Sequence, residues 1–238
     1  MARSVSRRKF LRAGAGIAAA GVASGVVRQG LVQAGEAGRK LKIVAVACSP
    51  RAGKTTAQAL QICLDAAQAV DPDRIQVELI ELAGLKIPAH VAVGLPLEPG
   101  EKDDFPLVAE KLGAANVGGI LVGSPVYFCN MSALCKAFLD RCFSFRARKF
   151  ALSNRVAGVV AVGGVRNGGQ ELTIQSIQAA LMCQELLVVG DGRPRAHTRA
   201  TLWNSGNDDI STDEFGVGTA KNLGRRVAEV ALNRASGT

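Results

Sequence analysis

From Leu41 onward, short apolar runs alternate with amphipathic stretches, and this alternation narrows the possible folds more than any other feature. Leu41–Ala47 is apolar apart from one Lys and is followed by a polar turn and a helical pattern over 55–70. Residues 75–82 alternate apolar and polar side chains, as a half-buried or edge strand does. A loop rich in Pro and Gly, 84–100, leads to a helix near 103–112. A buried strand over 117–123 precedes a helix over 131–143. Residues 155–162 form a fourth strand with a helix over 169–183 behind it, 186–189 a fifth strand, and 213–233 a closing helix. Apolar strands separated by helices imply a parallel sheet covered on both faces. Five of them fit a doubly wound α/β sheet of order 2-1-3-4-5, whose ligand lies beyond the carboxyl ends of strands 1, 3 and 4.

Ahead of this pattern stands a different kind of segment. Of the 29 basic residues six (Arg3, Arg7, Arg8, Lys9, Arg12, Arg28) fall within 1–34, and none of the 20 acidic ones does. The net charge of +9 is therefore concentrated there, and the remainder carries only +3. That balance argues against a polyanion-binding surface, and the basic cluster Arg146, Arg148 and Lys149 has too few aromatics around it for nucleic acid. Arg7-Arg8-Lys9-Phe10-Leu11 precedes an uncharged run over 13–27, shorter than the roughly 20 residues a membrane span needs. Val32-Gln33-Ala34 places small residues at cleavage spacing. The paired arginines before Phe-Leu resemble the twin-arginine export motif. The resemblance implies a signal peptide over 1–34, cleaved near Ala34 or retained as an anchor, and passage through the twin-arginine machinery to the periplasm. A mature domain over 35–238 that folds around its cofactor before export is the corollary. Gly14-Ala15-Gly16 with Ala19 mimics a dinucleotide fingerprint, but no strand precedes it.

Three loops of the mature chain should meet at the site. The first, Ser49-Pro50-Arg51-Ala52-Gly53-Lys54-Thr55-Thr56, gathers hydroxyls, two cations and a helix N-terminus where a phosphate would sit. Gly53-Lys54-Thr55 also matches the end of a Walker A loop, which leaves a P-loop nucleotide enzyme as an alternative. Against it, the position of that motif's first glycine is Cys48, and the strand over 117–123 runs into Ser124-Pro125 instead of a magnesium-binding Asp. The second loop, 123–132, holds the only Tyr of the chain beside a Phe, groups that could stack on and bond a flat heterocycle. The third, 163–170, has four glycines in eight residues, which lets backbone N–H groups approach a ligand closely.

The Ser-Pro-Arg loop, the run GSPVYFCNMSALCKAFLDR (123–141) and the Gly-Gly-Gln after strand 4 together resemble the NADPH-dependent FMN reductase and iron–sulfur flavoprotein branch of the flavodoxin-like superfamily. The resemblance spans roughly 40–232. It implies FMN as cofactor, its phosphate on Ser49, Arg51, Lys54, Thr55 and Thr56. The isoalloxazine ring is then expected against Pro125, Val126, Tyr127, Phe128, Cys129, Asn130, Gly163, Gly164 and Gly168. It also implies NAD(P)H as electron donor, a quinone, flavin or protein as acceptor, and a homodimer or tetramer. A flavin-binding electron carrier without NAD(P)H turnover is the second reading, since reduced nicotinamides are scarce outside the cytoplasm. Two departures stand out. The loop that carries the cluster cysteines in iron–sulfur members reads Lys86 to Val93 here without a cysteine, so no iron–sulfur cluster is expected. Cys129 stands where the family commonly has Gly.

The remaining chemistry-bearing residues read as structural. At this length a core needs no disulfide staples, so Cys63, Cys135, Cys142 and Cys183, set in helical patterns, are expected as buried free thiols, and Cys129 as a candidate redox-active thiol. His90 and His197, the only histidines, lack neighbours at metal-ligand spacing, and no metal site is expected. Trp203 is equally placed to cover a flavin, to meet a partner or to pack.

Overall fold

The computed structural model describes residues 40–237, so the export signal expected over 1–34 lies outside the described residues. The chain runs β1 (Leu41–Ala47), α1 (Thr55–Gln68), β2 (Ile75–Glu81), a 3-10 turn (Ala89–Val93), α2 (Phe105–Gly113), β3 (Val117–Tyr127) and β4 (Asn130–Met131). It continues through α3 (Ala133–Arg141), α4 (Phe143–Ala147), β5 (Val156–Gly163), α5 (Gln170–Met182), β6 (Leu187–Val188), β7 (Ala200–Trp203) and α6 (Glu214–Ala235). The sheet order is β2-β1-β3-β5-β6, with β7 added parallel to β5 and β4 antiparallel to β3. By sheet position this is the expected order of a doubly wound, flavodoxin-like α/β fold. Among the described residues no helix is long and apolar enough to cross a membrane.

The strands explain their own burial. Successive side chains of a strand point to opposite faces, and in β1 Ile43, Ala45 and Ala47 enter the core beneath α1 and α6, whereas Val44 and Val46 enter the core beneath α2, α3 and α5. β5 divides likewise, Val156, Val160 and Val162 to the first core and Ala157, Val159 and Ala161 to the second. Because both faces are dry, the strands must be continuously apolar, the pattern seen in the sequence. α6 covers its face with Leu223, Val227, Ala228, Ala231 and Leu232, a stripe at helical spacing.

Two strand expectations needed correction. β3 does not end at Gly123 but runs on to Tyr127, turns through Phe128 and Cys129 and returns as β4. Both turn residues have positive φ, 50° and 59°, the geometry of a two-residue hairpin usually made by Asn-Gly, so Phe-Cys carries no local signal for it. The fifth strand is split. β6 keeps only two residues opposite Val156 and Ala157, and after an excursion the chain rejoins β5 as β7, opposite Val160 to Gly163. β7 was missed because four residues, Ala-Thr-Leu-Trp, are too few for a periodicity.

Candidate functional site

The order of the sheet brings the carboxyl ends of β1, β3 and β5 side by side, and buried bonds fix the loops that follow them. Cys48 N donates to Gly123 O (2.8 Å), and Ser132 Oγ donates to Cys48 O (2.6 Å) while accepting Cys135 N (3.0 Å) at the start of α3. Ser132 N in turn donates to the fully buried Ser124 Oγ (3.0 Å). One serine thus caps a helix and ties the first loop to the second.

The first loop is built as an anion cradle. Ser49 Oγ is bonded to both N and O of Arg51 (3.1 Å each), a turn that presents the Arg51 side chain. α1 begins at Thr55 with no side-chain cap on its N-terminus and no acidic residue in its first turn. Its leading N–H groups, with the positive end of the helix dipole, are available to an anion. Thr55 and Thr56 are buried, yet neither hydroxyl has a protein partner among the described residues. Two cations, two unpartnered hydroxyls and an open helix terminus suit a phosphate monoester.

The structure adds a group to this cradle that sequence reasoning missed. Arg51 Nη1 and Nη2 each donate to an oxygen of Asp208 (2.8 Å both), and Lys54 Nζ lies 3.6 Å from the same carboxylate. Hydrogen bonding to Arg51, then the charges of Arg51 and Lys54, hold the Asp208 carboxyl below the usual carboxylate range. Asp208 raises the Arg51 pKa, and the Tyr127 hydroxyl on the second loop adds to that, so three segments converge on this guanidinium. On the other flank Gly53 N donates to Glu81 Oε2 (2.7 Å) at the end of β2. Asp208 is 157 residues from Arg51, and no local pattern marks it.

The second segment rises above the sheet edge as the β3–β4 hairpin. Pro125 and Val126 are half-buried at its base, Tyr127, Cys129 and Asn130 are exposed, and Phe128 is fully exposed at the tip. The third loop meets it directly. Gly169, at φ +100°, opens α5, and a Cβ there would stand 2.6 Å from Cys129 Cα, so only glycine permits this approach. Gln170, buried, bonds Gly168 N and Val165 O (2.9 and 2.7 Å) and holds the loop's shape. Gly163 closes β5, and its O accepts Asn204 N (3.0 Å) from the segment carrying Asp208. The expected residues of all three loops therefore line one continuous edge.

Trp203 packs as a brace. Its Nε1 donates to Gly164 O (3.0 Å), its N to Asp213 Oδ2 (2.8 Å), and Arg166 lies over its ring (5.4 Å). The buried Asp213 also receives both Arg166 nitrogens (2.6 and 3.2 Å) and Gly216 N (2.8 Å), capping α6. Beyond this brace a cavity of ≈ 340 Å³ is lined by Arg166, Glu171, His197, Arg199 and Phe215, with His197 Nδ1 3.4 Å from the buried Asp191. His90 bonds within its own loop, to Pro96 O (3.2 Å), beside Glu101 (3.3 Å). All six cysteines are free. Cys48, Cys63, Cys135 and Cys142 are buried, and burial pushes the thiols of Cys48, Cys63 and Cys142 well up. Cys183 departs from expectation and is exposed, because it ends α5 instead of facing the core.

The family model for NADPH-dependent FMN reductase matches residues 41–198. An iron–sulfur flavoprotein of Methanocaldococcus jannaschii is 38% identical over 194 residues, 80% of this chain and 97% of the relative. An NAD(P)H dehydrogenase (quinone) of Paracoccus denitrificans is 30% identical over 169 residues, 64% of this chain and 80% of the relative. A flavodoxin, WrbA-like protein from Agrobacterium tumefaciens shares the fold, with a TM-score of 0.56 at 18% identity over 81% of this chain and 98% of its own.

Proposed function

The chain belongs to the NADPH-dependent FMN reductase family and is an FMN-dependent oxidoreductase, and from that premise we propose that it passes electrons from NAD(P)H to a quinone, flavin or protein acceptor outside the cytoplasm. The observation that carries the cofactor's placement is the cradle at the start of α1. Arg51 and Lys54 supply charge, Thr55 and Thr56 supply unpartnered hydroxyls, and Ser49 shapes the turn, a set that fits the FMN phosphate. Bound FMN supplies the two-electron chemistry of the reaction. Pro125, Val126 and Tyr127 form a wall for its ring, Phe128, Cys129 and Asn130 the exposed lip above it, and Gly163, Gly164 and Gly168 the facing backbone. These residues bind and orient, and no side chain is assigned a proton transfer.

A quinone acceptor draws support from the quinone dehydrogenase of P. denitrificans. Export draws support from Arg7-Arg8-Lys9-Phe10-Leu11, and fractionation of cells making the full chain against a variant with both arginines replaced by Lys tests it. Assembly as a homodimer or tetramer draws support from the exposed Phe128 and Tyr127, and light scattering reads it directly. The main test is an absorption spectrum of the purified chain without residues 1–34, followed by NADPH addition without oxygen. A flavin spectrum that bleaches with NADPH is expected. Bleaching only with dithionite would instead assign an electron carrier fed by another protein, and failure to take up FMN would overturn the cofactor's placement.

A further inference from the structure

We propose that Asp208 is a resident competitor for the cofactor's phosphate, a carboxylate that weakens FMN binding selectively and so keeps the flavin exchangeable. The inference rests on the placement of that phosphate at the first loop. The two cations of the cradle and one of its backbone N–H groups are already answered by carboxylates of the protein. Both Arg51 nitrogens reach Asp208 at 2.8 Å, Lys54 is 3.6 Å from it, and Gly53 N is held by Glu81 at 2.7 Å, whereas the Thr55 and Thr56 hydroxyls have no protein partner among the described residues. A phosphate monoester carries nearly two charges and three free oxygens, so it is the stronger acceptor for Arg51. It nevertheless has to displace a carboxylate that already makes a two-point contact.

Asp208 is presented on a preorganised loop. Asn204 N donates to Gly163 O (3.0 Å), and Gly206 N and Ser211 N donate to Asn204 Oδ1 (2.9 Å) and Asp209 Oδ1 (2.8 Å), which shapes the segment around it. Its φ of +61° is a conformation that Asp and Asn tolerate better than other side chains. Riboflavin, which has the same ring and no phosphate, leaves the Arg51–Asp208 pair intact. The carboxylate therefore lowers the advantage of FMN over riboflavin.

The test is Asp208→Asn, which removes the charge and keeps the backbone preference, with FMN and riboflavin titrated by fluorescence quenching on the apoprotein. FMN should bind about tenfold tighter, equivalent to ~1.4 kcal/mol, with riboflavin changed by less than about twofold. In an Arg51→Ala background the gain should shrink to the part that Lys54 carries, since Arg51 and Asp208 act as a pair. An unchanged or weaker FMN affinity, or an equal gain for both flavins, would overturn the proposal. If the wild-type chain takes up neither flavin, the placement of the cofactor falls. Inorganic phosphate titrated by 31P NMR then still decides the competition, tighter binding by Asp208→Asn supporting it and equal binding overturning it.

Discussion

At Cys129, the second residue of the β3–β4 turn, the backbone sits at φ +59° and packs against Gly169 of the third loop. An L-residue in the left-handed region costs about 1–2 kcal/mol, partly offset because glycine loses more chain entropy on folding. Cys129→Gly should therefore stabilise the fold by about 0.5 kcal/mol, seen as a higher melting temperature; a lower one would mean that the thiol's contacts outweigh the strain. Thiol reactivity follows burial in the same way. Native protein treated with Ellman's reagent should release about two equivalents, from Cys129 and Cys183, and all six only after denaturation. Single residues at the site were legible wherever their chemistry was local, as with Arg51, Lys54 and the two threonines. Asp208 and Glu81 were not, because an isolated carboxylate in a polar loop or at a strand end looks like any solvated acid until the fold brings it to a guanidinium or an amide.

Between elements, α1 and α6 approach closely. A Cβ at Gly224 would collide with Cys63 O, so the two helices pack backbone to backbone there. Gly224→Ala should push α6 outward and cost about 3 kcal/mol, the upper range for overpacking, measurable by urea denaturation. α2 is held at its far end by the buried Arg155, which donates to Leu112 O and Gly113 O and whose pKa burial lowers to about 10. A second tie crosses from α3 to the segment before α2. Arg141 donates to both Asp103 oxygens (2.9 and 2.7 Å), with only 7% and 12% of the two side chains exposed. Replacing Asp103 with Ala should cost about 3 kcal/mol by leaving a buried guanidinium without its counter-charge. Helices and long strands were legible because their burial repeats over several turns or residues. The hairpin turn and β7 were not, since the first is made by residues that disfavour it and the second is too short to repeat.

For the whole molecule, acid stability follows from the carboxylates lowered on folding, above all the two in partly buried pairs away from the site. Burial pushes the Asp103 carboxyl up, but hydrogen bonds from Arg141 and from Phe105 N outweigh it and leave it below the usual range; Lys111 and then Lys42 lower Glu78 likewise. Groups lowered on folding contribute fully above the unfolded carboxylate range and lose that contribution as pH falls through their folded values. Melting temperature should therefore hold from neutral pH down to about pH 4 and fall below it, and Asp103→Asn with Glu78→Gln should flatten that fall. The alternation of apolar strands and amphipathic helices determined by itself that the chain is a parallel sheet covered by helices, because such strands have to be kept dry on both faces. It also determined which loops would meet, since parallel strands in a given order place their carboxyl ends along one edge. Only the tertiary structure decided what stands between those loops. Glu81 over Gly53, Asp208 between Arg51 and Lys54, Trp203 behind Gly164, and the Phe128–Cys129 turn against Gly169 join residues distant in the chain, and electrostatic and steric complementarity across such distances leaves no periodic trace in a sequence.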